Sequence, residues 1–178
     1  MLDRFDLLNA LEAIQHQPWE GFVWRHMFAD NPPTRINDKG ARWNPPGVPA
    51  IYCSLDRATA LAEGDYAVSV QSLRPTAKRT IYKLHVSLKR VLDLSPSPTL
   101  LELGLRKHEL SSTDHSACRR IGGAVEWLEH DGMVVPSARS SGRNLVIFQR
   151  HQSAEADFEI VAAEVIKETP KRRSRRVR

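Results

Sequence analysis

Apolar positions recur along the chain with two periods, and these divide it into elements. Over residues 3–15, Leu7, Leu8, Leu11 and Ile14 fall at helical spacing behind Asp3, a capping residue, and Gln17-Pro18 ends the run. Gly21 to Met27 is rich in β-formers and reads as a strand. Alternation sets Arg25 on the same face as Val23 and Met27. A buried arginine there requires a partner or a ligand, whereas an edge strand leaves it in water, and both arrangements suit the pattern. Asp30-Asn31-Pro32-Pro33 is a turn, and Ala50–Cys53 is a short strand. Ser54 is placed to cap a helix from 55 to about 67, striped by Ala58, Leu61, Ala62 and Tyr66, with Glu63 beside the stripe. Residues 69–78 are polar, carry Pro75 and read as a loop.

The second half continues in short pieces. Residues 80–88 set Tyr82, Leu84 and Val86 against Ile81, Lys83 and His85, the alternation of a half-buried strand, and 91–94 is a further apolar segment. Ser95-Pro96-Ser97-Pro98 breaks the chain before a short helix over 99–107. Asp114 caps a helix reaching about His130, with Cys118, Ile121, Val125 and Leu128 on its buried stripe. Gly122-Gly123 within it costs helix stability, so close packing is expected there, and Gly132 is a natural C-cap. Strands follow over 133–136, 144–148 and 158–166. Short strands interleaved with helices, without a βαβ rhythm, predict a single α+β domain.

Composition narrows the class. At 178 residues, with 41% hydrophobic and 26% charged residues, the chain suits one soluble domain. The net charge of +5 comes from the end: KRRSRRVR holds six basic residues, and without it 20 basic residues face 21 acidic ones. The body is therefore not a basic nucleic-acid-binding surface. The tail reads as a disordered arm, either simply solvated or weakly attracted to a polyanion. With no apolar run long enough to span a bilayer and an acidic, amphipathic N-terminus, the expected location is the cytoplasm. Cys53 and Cys118 lie in apolar surroundings and read as reduced core residues.

Known chemical signatures are missing. The histidines are scattered, no HExxH or CxxC occurs, and no metal is expected. GxxxxGK[ST], GxGxxG and GxSxG are absent as well. What stands out is residues 40–54, GARWNPPGVPAIYCS, a turn-rich loop with one cation and one indole that runs into a strand and then toward Glu63. Such a loop can be a mere connection whose tryptophan plugs the core, or a binding loop held by rigid elements. Arg25, Arg42, Tyr52, Glu63, Ser137 and Asn144 all fall near strand ends. Two guanidinium forks suit a diphosphate, Tyr52 offers an aromatic face, and a carboxylate can stabilise positive charge on a sugar. That set fits a nucleotide with two phosphates and a labile glycosidic bond.

Four segments carry a family resemblance: VWRH around Arg25, GARWNPPGVPAIYCS around Arg42 and Tyr52, TALAE ending at Glu63, and VPSARSSGRNLVI around Ser137 and Asn144. Together they resemble the RES-domain proteins, toxins of bacterial toxin–antitoxin pairs named for an Arg, a Glu and a Ser. These map to Arg42, Glu63 and Ser137. Where the family commonly has Asn-Pro after the last apolar run, this chain has Phe148-Gln149. The resemblance implies an ADP-ribosyltransferase-like fold over 20–166, flanked by a helical extension at 1–19 and the basic tail at 167–178.

It also implies that NAD+ is a substrate, with no separate cofactor. The nicotinamide–ribose bond would be cleaved with phosphate or water as acceptor. Arg42, Glu63 and Ser137 would be catalytic, and Arg25, Tyr52 and Asn144 would bind NAD+. The implied partner is a small helix-turn-helix antitoxin of Xre type that blocks the cleft. Nucleic acid would be met only through it, and no membrane is involved. Two other readings suit the sequence: a protein ADP-ribosyltransferase, and a non-catalytic nucleotide-binding module.

Overall fold

Alternating side chains on five strands divide the core into an inside and an outside. A computed structural model describes residues 2–28, 31–70, 78–150 and 157–166. The expected turn at Asp30, most of the 69–78 loop and the 167–178 tail fall wholly or partly outside these residues. In chain order the elements are α1 (Arg4–Glu12), β1 (Gln17–Phe28), β2 (Ala50–Ser54), α2 (Arg57–Val70), β3 (Arg79–Asp93), α3 (Ser97–Glu102), a 3-10 turn (Lys107–Leu110), α4 (Ser116–Trp127), β4 (Gly132–Pro136), β5 (Arg143–Phe148) and β6 (Asp157–Val165).

The strand order is β1-β2-β5-β4-β3-β6, and β1 also pairs with β3, so five strands close into a barrel and β6 lies outside the ring on β3. All pairings are antiparallel except β3 with β4. Val23, Ile51, Cys53, Leu84, Val86, Val134, Leu145 and Ile147 fill the interior. Their neighbours Ala50, Met133, Val135, Val146 and Phe148 face outward, where Leu7 and Leu11 of α1 and Ile121 and Val125 of α4 cover them. The expected α+β domain is thus a mixed α/β domain around a β-barrel.

Several boundaries differ from the sequence pattern. The segments 80–88 and 91–94 are one strand, because the Asp131 carboxylate accepts from both Lys89 and Arg90 N–H at 2.8 Å where the alternation lapses. Ser54 does not cap α2 but ends β2. Asp56 takes the cap, accepting from Thr59 N–H at 2.7 Å. Asp114 likewise does not cap α4, whose N-cap position is His115, although Asp114 accepts from Ser116 N–H at 2.9 Å. Gly132 is not a C-cap. α4 ends at Trp127 with Leu128 as its C-cap, Glu129 takes the left-handed turn (φ 61°), and Gly132 opens β4. The short helix is Ser97–Glu102 rather than 99–107. The close approach expected at Gly122 is present: a Cβ there would lie 1.6 Å from the Trp43 carbonyl oxygen.

Two histidines tie this core to pH. Burial, reinforced by Arg79 for His26 and by Arg90 and His16 for His130, lowers each to about 4. Each stays neutral when folded, while the unfolded chain protonates near 6.5. Their contribution to stability is therefore complete above about pH 6.5 and is lost as pH falls toward 4. The urea midpoint is expected to drop from pH 7 to pH 5, and NMR titration should find both imidazoles still neutral at pH 5. Imidazoles that protonate near 6.5 would refute this.

Candidate active site

β1 and β2 meet at one register pair, Trp24↔Ser54, and then splay apart. The gap is a cleft of about 380 Å³. Trp24 to Phe28 form one wall, Tyr52 to Ser54 and Asn144 another, α2 supplies Ala60, Glu63, Gly64 and Ala67, and Arg42 overhangs from the 40–54 loop. α2 comes close because residue 64 is glycine: a Cβ there would lie 2.5 Å from the His26 ring. A helix-interior glycine costs about 1 kcal/mol against alanine, and here it sets the distance from Glu63 to β1.

The loop carrying Arg42 is built around Asn44, which is fully buried. Its amide donates to the Asn37 and Val48 carbonyls at 3.0 and 2.7 Å and accepts from the Tyr52 hydroxyl at 2.7 Å. The same hydroxyl accepts from Trp43 N–H at 2.9 Å, and Arg119 Nε donates to the Ala41 carbonyl at 2.8 Å. Trp43 is 2% exposed and plugs the core, so this loop is at once a core plug and a wall of the cleft. Arg42 itself donates from Nη1 to the Ser112 carbonyl at 3.1 Å and faces the cleft.

Tyr52 is thereby committed at its polar end, and burial raises its phenol further above its usual range. Tyr52→Phe leaves Trp43 N–H and Asn44 Oδ1 each short of a partner. It is expected to cost about 1–3 kcal/mol, read as a lower urea midpoint. An unchanged midpoint would show that the hydroxyl does not hold the loop.

Across the cleft, Glu63 Oε1 accepts from Ser137 Oγ at 2.6 Å and from Asn144 Nδ2 at 2.9 Å. Ser137 Oγ in turn accepts from Arg139 and Ser140 N–H at 3.0 and 3.2 Å. Arg139 lies over the Tyr66 ring at 3.2 Å, and Thr59 Oγ1 meets Ser140 Oγ at 2.9 Å, so with the Ser137–Glu63 bond the 137–142 loop is fastened to α2 at three points. Glu63, Ser137 and Asn144 thus form one network, with Arg42 and Tyr52 lining the same cleft.

Arg25 differs. Alternation did set it on the buried face with Val23 and Met27, and it is 8% exposed. Its terminal nitrogens donate to the Pro33 and Arg35 carbonyls, so the guanidinium supports the 33–35 segment at the cleft rim. Asn44, which the sequence did not single out, and Ser54, expected only as a helix cap, both carry weight here. Ser54 Oγ donates to Asn144 Oδ1 at 2.8 Å, and no local pattern marks that contact. Burial pushes the Cys53 thiol up to about 12 and raises Cys118, which keeps both as protonated core side chains. Among the described residues no three His, Cys, Asp or Glu side chains converge on a metal-sized site, and no helix is long and apolar enough to cross a membrane.

Comparison with known proteins fits this arrangement. The chain is 30% identical over 118 residues to the NAD(+) phosphorylase MbcT of Mycobacterium bovis and of Mycobacterium tuberculosis, covering 62% of this chain and 62% of each relative. It thus spans less than two thirds of the length of those curated relatives. The fold is similar to that in a crystal structure of the M. tuberculosis MbcT-MbcA toxin-antitoxin complex, with a TM-score of 0.81 at 22% identity, over 90% of this chain and 92% of that one. The RES domain model matches residues 14–168, most of the chain, including every residue of the cleft. The chain belongs to the RES domain family.

Proposed function

We propose that this protein is an NAD+-consuming toxin of a bacterial toxin–antitoxin pair that cleaves the nicotinamide–ribose bond, with inorganic phosphate as acceptor. The observation that carries the reading is the Glu63 carboxylate, held by Ser137 and Asn144 at a cleft overhung by Arg42. When the glycosidic bond breaks, its electron pair passes to the pyridinium ring and nicotinamide leaves neutral, so no strong general acid is required. The ribose carbon becomes oxocarbenium-like, and a fixed carboxylate stabilises charge where it develops. An acceptor oxygen then forms the new bond to that carbon; with water as acceptor, a proton is released. The Arg42 fork suits phosphate oxygens of the dinucleotide. Tyr52 shapes the wall through the loop it holds, and Arg25 braces the rim.

The names of the curated relatives support phosphate over water as acceptor. The barrel with its splayed β1–β2 pair supports an ADP-ribosyltransferase-like fold. In this reading 20–166 is the RES body, 1–19 an N-terminal extension whose helix α1 braces it through Leu7 and Leu11 and whose last residues begin β1, and 167–178 a basic tail. The partner is a small helix-turn-helix antitoxin of Xre type covering the cleft, and the site of action is the cytoplasm, where NAD+ and phosphate are available. NAD+ serves as substrate rather than as a resident cofactor.

The test is to incubate purified chain, free of any partner, with NAD+ with and without inorganic phosphate and to follow nicotinamide release. Phosphate-dependent release is expected. Phosphate-independent release would replace phosphate by water, and labelled protein bands from labelled NAD+ would replace the reading by protein ADP-ribosylation. No release from folded protein would refute it.

A further inference from the structure

Glu63 receives both of its hydrogen bonds on one oxygen. Ser137 Oγ and Asn144 Nδ2 donate to Oε1, and among the described residues none donates to Oε2, which belongs to a side chain lining the cleft. Each donor is held from behind. Ser137 Oγ accepts from two backbone N–H groups, so its own proton is left for Glu63. Asn144 is held the same way: Ser54 Oγ donates to Asn144 Oδ1 at 2.8 Å. The carboxylate, which only accepts, turns the amide nitrogen toward Glu63, and the Ser54 hydroxyl donates to the Oδ1 left on the far side. The flipped amide would set Oδ1 against a carboxylate oxygen, two acceptors face to face. Ser54 and Asn144 are direct partners in the β2–β5 register, so the barrel itself aligns the chain Ser54, Asn144, Glu63. Ser54 is 4% exposed, which leaves its hydroxyl little choice of partner.

We propose that Ser54 is a positioning residue: through Asn144 it locks the Glu63 carboxylate with Oε1 saturated and Oε2 presented to the substrate. This gives Asn144 the role of holding Glu63 rather than NAD+ itself. The inference rests on the reading of Glu63 as the group that stabilises charge on the ribose.

Two measurements on the full chain test it. Ser54→Ala is expected to lower kcat for nicotinamide release about 10- to 100-fold, since a small misplacement of the carboxylate carries that cost, with KM for NAD+ within about twofold. In a Glu63→Gln background the same change should cost nothing further, because Ser54 acts only through the carboxylate. An equal loss in both backgrounds, or a change confined to KM, would overturn the relay.

The second measurement needs no turnover. In 15N-labelled protein the side-chain NH2 signals of Asn144, identified by their disappearance in Asn144→Ala, should move and exchange faster in Ser54→Ala. Signals that stay put would refute the relay. If the parent chain consumes no NAD+, the functional reading fails while this second result still decides the relay.

Discussion

Glu63→Gln is expected to lower nicotinamide release by about 10²–10³-fold, the usual loss when one preorganised electrostatic partner of a transition state is removed. The substitution keeps shape and one acceptor oxygen. Ser137 and Asn144 can still donate to that oxygen, so the network that fastens the 137–142 loop to α2 survives. What is lost is the negative charge at the cleft. Substrate and transition state differ mainly in the positive charge on the ribose, so the loss falls on kcat, and NAD+ affinity changes little. The assay is nicotinamide release under saturating NAD+, with binding measured separately by calorimetry. Unchanged turnover would remove Glu63 from the proposed mechanism. Lost binding with unchanged kcat would make it a ground-state contact instead.

Gly122→Ala is expected to be the most damaging single methyl in the described structure. In an ordinary helix interior the change would stabilise by about 1 kcal/mol. Here the new Cβ would stand 1.6 Å from the Trp43 carbonyl oxygen and 3.2 Å from Met133 Cε. The first contact is with backbone, so no rotamer change relieves it, and either α4 or the 40–54 loop must shift by more than an ångström. Overpacking against backbone outweighs the propensity gain, leaving a net loss of about 3 kcal/mol. For a domain of this size that lowers Tm by about 6–12 °C. The displaced loop carries Arg42 and the buried Trp43, so activity should fall even well below the new Tm.

Gly123→Ala is the control, since its Cβ would meet only the Pro45 ring, at 3.2 Å. Its Tm should stay close to that of the parent. Equal Tm values for the two variants would show that the α4–loop contact does not limit stability.

Sequence and structure divided the explanation along a physical line. Period-two alternation is a local property: it marked the strand over 80–88 and set Arg25 on the face of Val23 and Met27, while the structure decided that this face is buried. Glycines inside a helix pattern are also local, and Gly122-Gly123 announced close packing without revealing against what. The four motif segments were sufficient to suggest the family. Hydrogen-bond partnership across the fold is not local. Ser137 and Glu63 lie 74 residues apart, and Ser54 and Asn144 lie 90 apart. Their meeting depends on strand register and on how closely α2 approaches β1, quantities set by the whole core.

For that reason the sequence by itself determined which residue types were available, which faces were apolar and which family the chain resembles. Only the tertiary structure decided that Arg25 is spent on backbone carbonyls, that the Tyr52 hydroxyl belongs to its own loop, and that Ser54 stands behind Asn144. A buried donor or acceptor must find a partner wherever the fold puts one within reach, and that neighbour is fixed in three dimensions.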